Sequence, residues 1–277
     1  MSYREQQAIE TPTRQGMPVL GLGTWKNDDP AQCTESVKTA LNAGYRHVDT
    51  AQIYGNEAAV GEGIAAADVD RDDVFLASKV WIDQLAPADV VESTRESLDK
   101  LGVEHVDLMY VHWPAGAYDP AETLPAFAEL RDEGLIDRIG VSNFEPEHLD
   151  AATDALGEPP FANQVEMHPL LRQEELREYA DANGTELVAY SPLARGTILD
   201  DPTIAEIAEK HGVSPAQVSL AWLRAKGATA IPKATGENHI RDNLASLDLE
   251  LDDEDVATID AIDRTDRQLN PDFGPDW

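Results

Sequence analysis

The sequence predicts an α/β chain folded as one closed (β/α)8 TIM barrel over residues 1–277. Three observations carry that reading: eight short extended segments, helical spacing between them, and no linker-like stretch. The extended segments are 19–24, 46–50, 74–80, 106–112, 136–143, 162–167, 186–191 and 228–232. Between them apolar residues recur at helical spacing, as in Val90, Leu98 and Leu101 after Pro87, or Leu124, Phe127 and Leu130 after Pro120. Such alternation implies parallel pairing through right-handed crossovers. Length alone allows about two domains of roughly 150 residues, but α/β barrels of about 250 residues commonly form one.

Taken in order, residues 8–18, with Gly16 in a turn, fit a small hairpin plugging the barrel floor. The stretch GYRHVDTAQIYGNE at 44–57 reads as a strand that ends in chemistry. His47 and Val48 are extended, the strand breaks at Asp49-Thr50, and Tyr54 follows in a turn closed by Gly55. Asn56 then caps a helix with Glu57 in its first turn, where the helix dipole favours an acid. A doubly wound sheet competes as an architecture. Its fingerprint has one weak match, Gly61-Glu62-Gly63-Ile64-Ala65-Ala66, which sits inside a helical run and not after a strand.

Composition narrows the partners. The chain is 42% hydrophobic, enough for a full core, and has no apolar run of the roughly 18 residues that a membrane span needs. The start, MSYREQQAIE, lacks a signal-type apolar segment. The single cysteine, Cys33, lies in a helical pattern and reads as a buried, inert thiol; it fits a reducing compartment, hence a cytoplasmic protein. Asp+Glu number 53 against 21 Lys+Arg, a formal charge of −32 that repels nucleic acid and anionic membrane. Apolar periodicity along the whole length argues against disorder. Scarce lysine and acid-crowded helix faces resemble proteins of salt-loving organisms, where salt screens self-repulsion; an ordinary acidic cytosolic protein is the plainer alternative.

In a barrel the site lies at the carboxyl ends of the strands. Those ends here are Asp49 with Tyr54, Lys79, His112, Ser142-Asn143, Gln164 with Glu166, Tyr190-Ser191, and Lys233. Singly, each has a plain explanation as a cap, a solvated charge or a structural histidine; their convergence on one mouth is harder to dismiss. A phenol, an ammonium, a carboxylate and an imidazole suit proton transfer to an oxygen that becomes negative. A free phenol, with a pKa near about 10, is a poorly matched acid at neutral pH. A nearby ammonium would lower it, a carboxylate would hold the ammonium, and the histidine would orient a carbonyl. Such parts stabilise the alkoxide formed when hydride reaches a carbonyl carbon. Metal chemistry is disfavoured: there is no His-x-His or His-Glu-x-x-His, and His47-x-Asp49 supplies too few ligands, so no metal is expected. No Gly-x-Ser-x-Gly elbow supports a covalent hydrolase.

From about Met17 to the C-terminus the chain resembles the aldo-keto reductases. The resemblance rests on GLGTW (21–25), HVDTAQIYGNE (47–57), SKVW (78–81), VHWP (111–114), GVSNF (140–144), NQVEMHP (163–169), YSPLARG (190–196) and AIPKA (230–234), all in the family's order. It implies nicotinamide-dependent reduction of aldehydes or ketones, with Tyr54 as general acid, Lys79 and Asp49 tuning it, and His112 orienting the carbonyl. It further implies that Ser142, Asn143 and Gln164 hold the carboxamide and that Tyr190 stacks on the ring. Ser191 and Leu193 would meet the pyrophosphate, and Gly23, Thr24, Asp49 and Ile231 would also line the cofactor. Trp25, Trp81 and Trp113, with Tyr54 and His112, would wall the substrate. Core packing remains open for Trp81, while Trp25 and Trp113 sit beside strand ends.

The family's 2′-phosphate pattern, Ile-Pro-Lys-Ser then Arg then Glu-Asn, reads here as Ile231-Pro232-Lys233-Ala234, His239 and Asp242-Asn243. Lys233 keeps one cation, Ala234 loses the hydroxyl, and His239 replaces a permanent guanidinium fork. The expected cofactor is therefore NADP(H), with NAD(H) also accepted. The short tail from Arg264 suggests an open mouth, and the SPLARG-like loop resembles reductases of the 2,5-diketo-gluconate type. A small-molecule carbonyl is the expected partner, with no nucleic acid, membrane or obligatory protein partner. A non-turnover, cofactor-binding redox-sensing subunit on the same fold is the alternative.

Overall fold

The computed structural model describes residues 11–275 and Trp277; the charged start, with the first part of the expected 8–18 hairpin, lies outside them. Gln15 and Gly16 both take positive φ (46° and 85°), the backbone of a twist-matched two-residue turn. They join β1 (Thr13–Arg14) to β2 (Met17–Pro18) in an antiparallel hairpin. Met17, fully buried, packs with Phe75, Leu108, Ala162 and Val188, so the hairpin plugs the barrel as expected.

Eight parallel strands follow: β3 (Leu22–Gly23), β4 (His47–Asp49), β5 (Phe75–Val80), β6 (Leu108–Val111), β7 (Ile139–Ser142), β8 (Ala162–Glu166), β9 (Glu186–Tyr190) and β10 (Ala228–Ala230). Each lies beside the next in chain order. The sheet closes where Leu20 bridges Ala230 and Gly23 bridges Lys233, with Gly21 N donating to Ala230 O at 2.8 Å and Gly23 N to Pro232 O at 3.1 Å. A Cβ on Gly23 would lie 2.6 Å from Ile231 O, so only glycine permits this seam. The ladders are shorter than the sequence predicts. Segment 19–24 contributes only Leu22–Gly23 as regular strand, and at the seam Pro232, between the two bridges, has no N–H to continue the ladder. Segments 106–112 and 136–143 lose their first residues because Val106 and Ile136 meet only through an isolated bridge.

Helices pack outside the strands: α1 (Pro30–Ala43), α2 (Glu57–Ala65), α3 (Pro87–Leu101), α4 (Pro120–Asp132), α5 (Pro146–Leu156), α6 (Glu174–Asn183), α7 (Pro202–His211), α8 (Pro215–Ala225), α9 (Glu237–Ala245) and α10 (Asp253–Asp260). Several open on proline behind a capping side chain: Asp29 accepts from Gln32 N, Asp119 from Ala121 N, and Asp201 from Thr203 N. The predicted apolar stripes face inward, with Val90, Leu98 and Leu101 of α3 and Leu124, Phe127 and Leu130 of α4 all buried. The Gly61-x-Gly63 match belongs to α2, where a Cβ on Gly61 would meet Leu101 O at 2.1 Å. Those glycines let helices approach; they cradle no phosphate. Cys33 is fully buried on α1, and burial pushes its thiol up to about 11. Among the described residues no helix is long and apolar enough to cross a membrane.

Candidate active site

Strand β4 delivers Asp49 and β5 delivers Lys79 into the barrel interior, 1% and 0% exposed. Lys79 Nζ donates to Asp49 Oδ1 and, at 2.8 Å, to Thr50 O. The other Asp49 oxygen accepts from Gln164 Nε2 at 2.7 Å, so strands 115 residues apart meet on one carboxylate. Burial pulls the Lys79 ammonium below its usual range, and Asp49 opposes that pull.

Tyr54 sits above this pair on the 3-10 turn Gln52–Tyr54, which Gly55 ends with φ 67°. Lys79 Nζ is 5.2 Å from its ring centroid. Two side chains fix the turn. Gln52 Oε1 accepts from Trp81 N at 3.0 Å, and Asn56 Nδ2 donates to Thr24 O at 2.9 Å while its Oδ1 accepts from Thr50 Oγ1 at 3.0 Å. Asn56 occupies the position before α2 without capping it, because its amide is spent on the turn. Burial, then Asp49, then Tyr190 push the phenol well above its ordinary value, the opposite of the lowering expected from Lys79. The ammonium is neutralised by Asp49, so desolvation prevails and the phenol keeps its proton.

His112, 8% exposed, follows β6 with its ring 5.8 Å from that of Tyr54 and edge-on to it. Burial and then Lys79 hold its pKa well below the usual range, so the imidazole is neutral at pH 7 and has one N–H to donate. Among the described residues its Nδ1 has no partner.

A cavity of about 530 Å³ opens over these groups. Its walls include Gly23, Thr24, Trp25, Asp49, Tyr54, Trp81, His112, Trp113, Ser142, Asn143, Gln164, Tyr190, Ser191, Leu193, Ile231 and Lys233. Asn143, with φ 64°, donates to His112 O at 3.1 Å and accepts from Tyr190 Oη at 2.8 Å, which locks one shelf. Ser142 Oγ donates to Gln164 O at 2.8 Å. Ala234, His239 and Asn243 lie outside this wall: Ala234 and Asn243 are buried and His239 is exposed, beyond Lys233 at the start of α9 and along it. Asp242 accepts from Ser214 Oγ and Gln217 Nε2, each at 2.6 Å, and so is tied to α8.

Several wall residues were given no site role by the sequence, among them Lys26, Asp28, Ile53, Arg195, Leu269, Pro271 and Phe273. Lys26 and Arg195 both lie against Trp25, 4.5 and 4.8 Å from its ring centroid. Trp81 is a wall and not core, half-buried and edge-on to His112 at 5.0 Å. The mouth is less open than the short tail suggests, because Phe273 packs on Trp81 at 5.8 Å and Trp113 at 5.4 Å. The donor set fits an elongated anionic ligand with a planar end. Lys26, Arg195 and Lys233 line the cavity together with Tyr190 and Tyr54. Among the described residues no cluster of three or more His, Cys, Asp or Glu could hold a metal.

A family model described as the aldo/keto reductase family matches residues 19–264. An aldo-keto reductase of Mycolicibacterium smegmatis is 43% identical over 258 residues, covering 92% of this chain and 93% of the relative. A methylglyoxal reductase of Salmonella typhi is 41% identical over 265 residues, 94% of this chain and 99% of its own length. A glyoxal reductase of Bacillus subtilis is 42% identical over 257 residues, 92% and 93% of the two chains. Among solved structures, a protein provisionally named 2,5-diketo-D-gluconic acid reductase B is 38% identical, with a TM-score of 0.90 over 94% of this chain and 93% of that one.

Proposed function

Since the chain belongs to the aldo/keto reductase family and is thereby a carbonyl-reducing oxidoreductase, we propose that Tyr54 is its general acid and that small 2-oxoaldehydes and keto-sugar acids are its substrates. The observation that carries the reading is the phenol of Tyr54 and the neutral imidazole of His112 facing one cavity, above the buried Lys79–Asp49 pair. The nicotinamide cofactor supplies hydride to the carbonyl carbon when bound. His112 donates its N–H to the carbonyl oxygen and orients it. Tyr54 Oη gives up its proton as that oxygen becomes negative, and the Lys79 ammonium stabilises the phenolate left behind. Asp49 holds the ammonium in place, and Gln164 fixes Asp49.

Ser142, Asn143 and Gln164 would receive the carboxamide, Tyr190 the ring, and Ser191, Leu193 and Lys233 the phosphates. We read the cofactor as NADP(H) with NAD(H) also accepted, because Lys233 would be the retained cation for the 2′-phosphate while exposed His239 would be a weak substitute for a guanidinium. The charge of −32 with one buried thiol suits a reducing, salt-rich cytoplasm, in one domain spanning the chain without an obligatory protein partner. The test is a panel of methylglyoxal, glyoxal, keto-sugar acids and aryl aldehydes, followed at the nicotinamide absorbance with both cofactors in 0.1 to molar KCl. Turnover of 2-oxoaldehydes with both cofactors, improving with salt, supports the reading. No carbonyl turnover with either cofactor would overturn it.

A further inference from the structure

Glu166 is the last residue of β8 and 1% exposed. A carboxylate removed from water requires acceptor bonds to replace hydration, and this one has three. Oε1 accepts from Gln268 N at 2.6 Å and faces His168 Nε2 at 2.9 Å, and Oε2 accepts from Leu269 N at 2.8 Å. Two of the three donors are backbone amides of the C-terminal tail, 102 and 103 residues away.

The tail is fixed in steps. Arg172 Nη1 donates to Ile262 O at 3.0 Å, Asp266 N to Leu170 O at 2.9 Å, and then Glu166 takes Gln268 and Leu269. Beyond that point, among the described residues, the remaining backbone bond is internal, Gly274 N to Pro271 O at 2.9 Å. Leu269, Pro271 and Phe273, the tail residues that wall the cavity, all lie at or after this anchor. Successive side chains on a strand alternate, so Glu166 shares its face with Gln164, two residues earlier, which binds Asp49. One strand face therefore carries both the side chain that binds Asp49 and the side chain that holds the cover of the mouth.

We propose that Glu166 is a positioning residue whose buried carboxylate latches the C-terminal tail over the mouth, setting Phe273 against Trp81 and Trp113 and thereby the fit of bulky carbonyl substrates. The effect on substrates rests on the carbonyl-reductase reading; the latch itself does not. Glu166→Gln keeps the shape but replaces one acceptor oxygen with an NH2 donor. Whichever way the amide turns, at least one tail amide then faces a donor.

The experiment reads amide hydrogen exchange and steady-state kinetics on the full chain. In E166Q the amides of Gln268 and Leu269 should exchange at least tenfold faster while those of β5 and β6 are unchanged. KM for an aryl aldehyde should rise several-fold, with kcat and KM for methylglyoxal within about twofold. Phe273→Ala, at an exposed position, should reproduce the KM split without speeding exchange at Gln268. Unchanged exchange at Gln268 and Leu269 in E166Q, or equal KM changes for large and small substrates, overturns the proposal. Should E166Q fail to fold, the unaltered chain decides. Exchange of those two amides at unstructured-peptide rates rules out the latch, and protection comparable to the barrel strands, with the F273A split, supports it. Absence of all carbonyl turnover would sink the reductase reading while leaving the exchange result standing.

Discussion

Lys79 donates to Asp49 where solvent reaches neither side chain, 0% and 2% exposed. A lone charge in that place would be very costly, so each residue makes the other tolerable. The pair also explains why Tyr54 keeps its proton at rest: an ammonium partly matched by a carboxylate does not outweigh the burial of the phenol.

Asp49→Asn keeps the shape, and an amide oxygen for Lys79, but leaves the ammonium without a counter-charge. Breaking a buried pair from one side costs about 3–5 kcal/mol, so the urea midpoint should fall accordingly, and carbonyl turnover with it. An unchanged midpoint would show that Lys79 is neutral in the fold.

Burial holds His112 well below its usual pKa, assisted by Lys79, and burial also lowers His47 against the pull of Asp49. In the unfolded chain both protonate near about 6.5; in the fold they stay neutral. The unfolded state thus binds more protons below that pH, and stability falls as pH drops beneath about 6.5, by up to roughly 1.4 kcal/mol per unit for each such histidine. Urea titrations of the parent at pH 7.5 and 5.5 should show the loss, and His112→Gln should reduce it. A loss of equal size in both proteins would place the histidine's protonation elsewhere.

Restoring a guanidinium at the exposed position on α9 should sharpen cofactor choice. His239→Arg is expected to lower KM for NADPH several-fold and leave NADH within about twofold, because the fork binds phosphate bidentately at any working pH. Parallel changes for both cofactors would mean that this position lies off the 2′-phosphate.

The meeting of Asp49, Tyr54, Lys79 and His112 at one mouth is legible because each stands close to the end of a parallel strand, and strand ends can be marked from local pattern alone. The barrel and its hairpin were legible for the same reason. What escaped depends on partners distant in sequence. Asn56 looked like a helix cap until Thr24 and Thr50 claimed its amide. Glu166 looked like one more strand-end acid, since nothing local ties it to Gln268 and Leu269. Trp81 could not be assigned between core and wall without Phe273, which a short tail gave no reason to place there. The direction of the Tyr54 shift is hidden from the sequence, because the burial that outweighs the neighbouring ammonium exists only in the fold.

The most direct test of the account is Tyr54→Phe, assayed for methylglyoxal reduction at saturating cofactor alongside cofactor binding by quenching of tryptophan fluorescence. Loss of a general acid removes about 10² to 10⁴ in rate, so kcat should fall by at least 10² while the dissociation constant for cofactor stays within about twofold. A variant that reduces the carbonyl within a few-fold of the parent would contradict the assignment of Tyr54 as the proton donor.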